Sequence, residues 1–240
     1  MVKTALPISN GFYKSESLPV SAQEGTNWYV SPVEAPALNQ EVLFGTPGIT
    51  QIATAGALKS NASRGSWVMS GVPYFVNGNV LYRLESDLLT LTNLGTILGS
   101  GRVWMSDNGT QLCILVPGTA SIGYIFTESP DALVTITDTD FKANGEPQTV
   151  VFVDKYFVFT TDSLKFIISN LSDGTSYNAL DFGSAEADPD AIIAPVVFLN
   201  QLFIAGSETI EAFQNIGGAD FPFQRTGLFI SKGVSAPLSL

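Results

Sequence analysis

The sequence predicts an all-β protein, a β-propeller preceded by an extended N-terminal arm. Three observations predict it. Only 14% of the 240 residues are charged while 45% are hydrophobic. Typical soluble domains carry about 25% charge, so a coiled coil or a charge-laced helical bundle is excluded. The 22 glycines and 13 prolines that take the place of charge belong to a chain with many turns. From Gly45 onward, apolar and β-branched residues alternate or run in short stretches that break at Gly, Asn or Asp. That is the period-two signature of strands, and no stretch shows the spacing of an amphipathic helix.

Residues 1–44 differ from the rest. They are rich in Ser, Pro, Asn and Glu, and prolines at 7, 19, 32 and 36 forbid long helices. Isolated apolar residues, Trp28 and Tyr29 among them, are depleted in disordered segments. The expectation is an extended arm laid across a surface. Residues 45–240 are expected to form the propeller. Four hairpins stand out within it: Tyr74 to Tyr82 around Asn77-Gly78, Val103 to Cys113 around Asn108-Gly109, Val151 to Phe159 around Asp154-Lys155, and Val196 to Ile204 around Asn200-Gln201. Asn-Gly suits a type I′ turn because both residues tolerate positive φ. The turns near 78, 109, 154 and 200 are separated by 31, 45 and 46 residues, and the last two match the roughly 40–45 residues of a four-stranded propeller blade. Further strand pairs follow the hairpins, such as Gly123–Phe126 with Leu133–Ile136. The repeat is therefore a four-stranded meander, with about four blade-like units, which favours a propeller over a sandwich or barrel. Residues Gly233 to Leu240 read as the opening of another unit, so the propeller is expected to be incomplete within this chain and to continue beyond it.

The composition removes several chemistries together. Without histidine there is no Ser-His-Asp or Cys-His triad and no His-based zinc site. One cysteine, Cys113, excludes disulfide frameworks and Cys-rich metal sites, and its place in Leu112-Cys113-Ile114-Leu115-Val116 reads as core. The carboxylates of Glu186-Ala187-Asp188-Pro189-Asp190 read as a solvated loop rather than an ion site. The run Asp138-Thr139-Asp140-Phe141-Lys142 fails as a calcium loop because Lys142 occupies a ligand position. A sialidase-type box is absent: around Asp107 and Gly109, Met105 and Leu112 stand where Ser and Trp belong. Trp67, Trp104, Tyr74 and Tyr82 are candidates for a sugar-stacking surface, but such aromatics more often fill the space between blades. A carbohydrate-binding propeller without catalytic activity is the alternative reading. No catalytic, cofactor-binding or metal-ligating residue is expected. The net charge of −11, with Arg64, Arg83, Arg102 and Arg225 as the only arginines, argues against tight phosphate-backbone binding; these four are expected to serve local pairs. No apolar run reaches signal-peptide or membrane-spanning length, so a protein made in the cytoplasm, or assembled there, is expected.

In Phe221-Pro222-Phe223-Gln224-Arg225 the proline keeps the chain extended between two rings, and Arg225 has acidic neighbours in Glu208, Glu211 and Asp220. A structural clamp follows. This segment, with Gly217-Gly218 before it, resembles the packaged-DNA stabilisation proteins of short-tailed bacteriophages, the hub or nozzle of the tail. Ser176-Tyr177-Asn178-Ala179-Leu180-Asp181-Phe182-Gly183-Ser184, running on to Asp190, is similar to the same family, as is Asn27-Trp28-Tyr29-Val30 followed by Gly45-Thr46-Pro47-Gly48-Ile49. The resemblance spans about 27 to 235. It implies a propeller-based structural virion protein without enzymatic activity. It also implies a self-assembled hexameric ring below the portal and adaptor, partnered by a tail needle or plug and by tailspike or fibre proteins. Genomic double-stranded DNA would pass through without tight binding. Phe221, Pro222, Phe223, Arg225, Trp28 and Tyr29 are carried as clamp or interface positions.

Overall fold

The computed structural model describes residues 26–32, 41–50, 62–185, 190–218 and 221–239. The chain divides into two compact units, Met1–Gln51 and Ile52–Leu240. In the first, β1 (Trp28–Pro32) pairs antiparallel with β2 (Glu41–Gly45), setting Trp28 opposite Gly45 and Tyr29 opposite Phe44. Within the expected arm, the described residues thus form a two-stranded hairpin, and the rest of it lies outside the described residues. A lone strand leaves its backbone donors and acceptors unpaired, and pairing β1 with β2 satisfies them. Tyr29 stacks on Phe44 at 5.7 Å between centroids.

The second unit holds four antiparallel four-stranded sheets, each a simple meander. Blade 1 comprises β3 (Ser63–Met69), β4 (Val72–Asn77), β5 (Val80–Leu84) and β6 (Leu91–Thr96). Blade 2 comprises β7 (Trp104–Asp107), β8 (Gln111–Val116), β9 (Ile122–Thr127) and β10 (Ala132–Thr135). Blade 3 comprises β11 (Pro147–Val153), β12 (Tyr156–Thr161), β13 (Lys165–Asn170) and the long β14 (Asp173–Ser184). Blade 4 comprises β15 (Ile192–Phe198), β16 (Gln201–Gly206), β17 (Ile210–Asn215) and β18 (Phe223–Ile230). Successive first strands begin 41, 43 and 45 residues apart and neighbour one another, β3 with β7, β7 with β11, and β11 with β15. The fold is a β-propeller arrangement.

The 31-residue interval between the first two hairpins reflects different places in the blade. Asn77 pairs with Val80 in the β4–β5 hairpin, whereas the other three hairpins are β7–β8, β11–β12 and β15–β16. The first hairpin of blade 1 turns at Ser70-Gly71 (φ 51° and 82°). Asp154-Lys155 (49° and 70°) and Leu199-Asn200 (48° and 60°) turn the same way, all with the two positive φ values of a type I′ loop. At the Asn77-Gly78 site the loop residues are Gly78-Asn79 and only Gly78 has positive φ, so the type I′ reading fails there. These first turns are tied blade to blade: Ser70 Oγ donates to Gly109 O at 3.1 Å, and Asn200 Nδ2 to Asp154 Oδ1 at 2.5 Å.

The core lies between blades. Met69, Tyr74, Val76 and Leu81 of blade 1 pack on Leu112, Ile114, Tyr124 and Phe126 of blade 2. Cys113, Leu115 and Ile125 of blade 2 pack on Val150, Phe157 and Phe159 of blade 3. Val153, Val158, Phe166 and Ile168 of blade 3 pack on Leu202, Ile204 and Phe213 of blade 4. An inner strand touches a neighbour on each face, which is why β8 reads as the unbroken apolar run Leu112–Val116, buried throughout. The outermost strand of blade 4, β18, is buried only at Phe223. The C-terminal residues Gly233–Ser239 form no strand; Val234 N–H donates to Gly206 O at 2.9 Å, and a Cβ on Gly233 would lie 2.2 Å from the Ser207 backbone.

Candidate functional surface

The segment from β17 to β18 packs on blade 3. Asn215 Oδ1 accepts from Gly217 N–H, Gly217 takes φ +67°, and Ile216 N–H donates to Pro222 O at 2.9 Å, so the loop closes on itself. Pro222 and Phe223 are buried. Phe223 meets Tyr156 edge-on at 5.9 Å, Phe221 meets Phe166 at 5.8 Å, and the two rings lie 6.1 Å apart. Phe166 in turn packs edge-on against Phe213 at 4.9 Å. Arg225 Nε lies 2.6 Å from Glu211 Oε2, and its Nη2 donates across the seam to Ser184 O at 3.2 Å. Glu211 is buried to 1% exposure. A carboxylate that far from water is held by its guanidinium partner, and removing one member would strand the other. Thus Phe221, Pro222, Phe223 and Arg225 come together on the seam of blades 3 and 4. Trp28 and Tyr29 lie in the separate N-terminal hairpin, 55% and 48% exposed.

The other arginines have distinct settings. Arg64, 5% exposed, gives Nε–H to Gly101 O at 2.7 Å and Nη1 to Gly78 O and Ile97 O at 3.0 Å each. Burial lowers its pKa, and carbonyl dipoles stand in for a counter-ion. Arg83 binds Asp131 at 2.8 Å and Glu85 at 2.9 Å; the Asp131 hydrogen bond is the largest cause that raises its pKa. Lys142 pairs with Glu146 at 3.0 Å, and Lys165 caps the Phe182 ring at 3.9 Å. Arg102 departs from the expected local pairs. It is exposed beside a hollow of about 360 Å³ that Trp67, Trp104 and Leu238 also line, and no carboxylate pairs with it among the described residues.

The acidic groups singled out in the sequence hold backbone. Asp138 accepts from Asp140 N–H and Tyr177 N–H, at 3.0 and 2.9 Å, and so pins β14 to the short 3-10 turn Thr139–Lys142. Asp190 accepts from the N–H groups of Glu208 and Thr209 at 2.6 and 2.9 Å. Residues 186–189 lie outside the described residues. Among the described residues no three potential ligands cluster as a metal would need, and no helix is long and apolar enough to cross a membrane. Of the four aromatics, Tyr74 and Tyr82 are buried and Trp104 packs on the blade 2–3 core. Trp67 stays 39% exposed with its indole N–H on Asp107 Oδ2 at 2.6 Å. Tyr74 donates to Glu128, and burial, then that carboxylate, pushes its hydroxyl pKa up.

The family model described as Phage_stabilise, Bacteriophage P22 Gp10, beta-propeller, matches residues 4–239. Solved structures give a likeness of fold. The computationally designed Ika8 protein matches with a TM-score of 0.54 at 12% identity over 89% of this chain and 62% of that one. Glutaminyl cyclase of Myxococcus xanthus has a TM-score of 0.41 at 11% identity, over 63% of this chain and 65% of that one. BamB of Moraxella catarrhalis has 0.45 at 11%, over 64% and 44%. The chain spans less than two thirds of each of these structures. No curated protein matches it.

Proposed function

The chain belongs to the phage stabilisation family of β-propellers, and from that premise we propose that this phage structural protein is a tail hub, or nozzle, that helps retain packaged DNA and passes it during ejection. The family match across residues 4–239 carries the reading. In this role copies form a hexameric ring below the portal and adaptor, a needle or plug closes the passage, and tailspikes or fibres attach outside. Assembly takes place in the host cytoplasm and the finished protein sits in the virion tail. The role is non-enzymatic.

The surface chemistry supports a mechanical rather than an adhesive hold on DNA. Retention by phosphate contacts needs Lys and Arg arrayed along the path. Here the net charge is −11, and Arg64, Arg83 and Arg225 are held by partners within the fold. A duplex against such a surface is repelled and remains free to slide. Retention then falls to a closed passage. The exposed Trp28, Tyr29 and Phe44 of the N-terminal hairpin offer aromatic anchors for a neighbouring subunit.

The test is genetic. Phage that lack this protein should fill their heads and then lose the DNA, giving particles of normal head composition without genome. Particles that keep their DNA and remain infectious would overturn the reading.

A further inference from the structure

On the seam of blades 1 and 2 a buried arginine holds an exposed one in place. Arg64 of β3 brackets Arg102 from both sides. Its Nε–H donates to Gly101 O at 2.7 Å, and its backbone carbonyl accepts from Val103 N–H at 2.9 Å. The two chain segments come this close because residue 65 is glycine: a Cβ there would lie 2.7 Å from Val103 Cγ2. The backbone of Arg102 is thus pinned just ahead of β7, outside any strand. Its side chain is exposed and pairs with no carboxylate among the described residues.

The hollow beside it, about 360 Å³, is walled by neighbouring blades of the same chain. Arg64 and Arg102 both line it, and among the described residues no Asp, Glu, Asn or Gln does. Two guanidiniums without an acid in the lining make a positive spot on a chain of net charge −11, and such a spot draws an anion. Trp67 and Trp104 add ring surface, and Ser63 and Ser66 add hydroxyls. Asp107 accepts the Trp67 indole N–H at 2.6 Å, which fixes that ring while it stays 39% exposed. Small-molecule pockets run to roughly 300–1,000 Å³, aromatic-lined with a few placed polar groups. This hollow sits at the small end of that range.

We propose that this hollow binds an acidic sugar, its carboxylate on Arg102, the apolar face of its ring on Trp67 and its hydroxyls on Ser63 and Ser66. The guanidinium fork matches a carboxylate with two parallel hydrogen bonds. A neutral sugar would leave Arg102 unused. A nucleotide also offers an anion and a ring, but base edges are read by amide or carboxylate side chains or by a further free guanidinium. No amide or carboxylate lines the hollow, and Arg64 is spent on backbone carbonyls. This inference does not rest on the tail reading.

The experiment is saturation-transfer NMR on the full chain at constant ionic strength. The probes are D-glucuronate, D-galacturonate and N-acetylneuraminate, with D-glucose, acetate, AMP and GMP for comparison. At least one acidic sugar should saturate and bind at least about tenfold tighter than glucose or acetate, because glucose lacks the charge-assisted hydrogen bond and acetate lacks the ring contact. Arg102→Gln should bring that sugar down to the affinity of glucose, and Trp67→Ala to that of acetate. Arg102→Lys, which keeps the charge but not the fork, should fall between wild type and Arg102→Gln. If Trp67→Ala loses its cooperative melt, the two Arg102 variants decide, since that side chain is exposed. Failure of all three acids to saturate overturns the proposal, as does affinity indifferent to Arg102→Gln. Acetate binding as tightly as the sugars means a bare anion site, and AMP or GMP binding more tightly means a nucleotide site; either result also overturns it.

Discussion

Phe223 shows how one side chain joins two blades. It is 5% exposed, touches Tyr156 across the seam and sits next to Phe221, itself against Phe166. Truncating such a ring loses its transfer free energy and leaves a cavity, typically about 3–5 kcal/mol. Phe223→Ala should therefore lower the melting temperature markedly, and an unchanged melt would remove the clamp from the account. The clamp's aromatic members were legible because Pro222 forces an extended chain between two large apolar residues. The partner of Arg225 was open among three acidic residues until the strand register placed Glu211 beside it. Arg64 was not legible as a structural anchor: its acceptors are backbone carbonyls 14 to 37 residues away, and a carbonyl has no signature in sequence. Cys113 illustrates the opposite case, since an apolar run specifies burial directly. It is fully buried, and burial pushes its thiol pKa up. The thiolate is the reactive form, so a thiol reagent should label Cys113 only after denaturant is added; rapid labelling of the native protein would contradict its placement.

At the level of the element, turn chemistry governs. Three first hairpins use two successive positive-φ residues, and at Leu199-Asn200 the first of these is a leucine at φ 48°. The left-handed conformation costs an ordinary L-residue roughly 1–2 kcal/mol, and glycine escapes that cost. Leu199 is 81% exposed, so little packing is lost on replacing it. Against the gain stands the greater freedom of glycine in the unfolded chain, about 0.4–1 kcal/mol. Leu199→Gly should therefore be neutral to slightly stabilising, up to about 1.6 kcal/mol, by chemical denaturation. A loss beyond about 1 kcal/mol would mean that the leucine packs in a way its exposure does not show. Strand content and the four-stranded repeat were legible because period-two runs and Gly/Asn/Asp breaks are local features. Which hairpin opens blade 1 was not, because Ser70-Gly71 lacks the Asn-Gly signature that drew attention to the next turn. The fold-back of β1 on β2 was hidden for a related reason: Tyr29 and Phe44 are far apart in sequence, and composition does not report pairing.

Across the whole molecule the distribution of charge decides what the protein can hold. A protein that neutralises several phosphates releases their counterions, and its affinity falls with salt at a slope of about −0.9 per contact. Here three of the four arginines are tied within the fold, Arg64 to carbonyls, Arg83 to Asp131 and Glu85, and Arg225 to Glu211. Lys142 pairs with Glu146. Among the described residues Arg102, Lys155 and Lys232 are exposed, and three such cations supply a slope no steeper than about −3. Against those contacts stands the field of a chain at −11. That repulsion reaches farthest at low salt, where the Debye length is about 30 Å at 0.01 M. A conduit lets a duplex slide, so weak contact is what the tail reading requires. The protein should show no measurable binding of double-stranded DNA in a fluorescence titration even at low ionic strength, and Arg102→Ala should change nothing. Tight binding that weakens steeply with salt would demand an array of cations, and would replace a mechanical seal with a DNA-gripping surface.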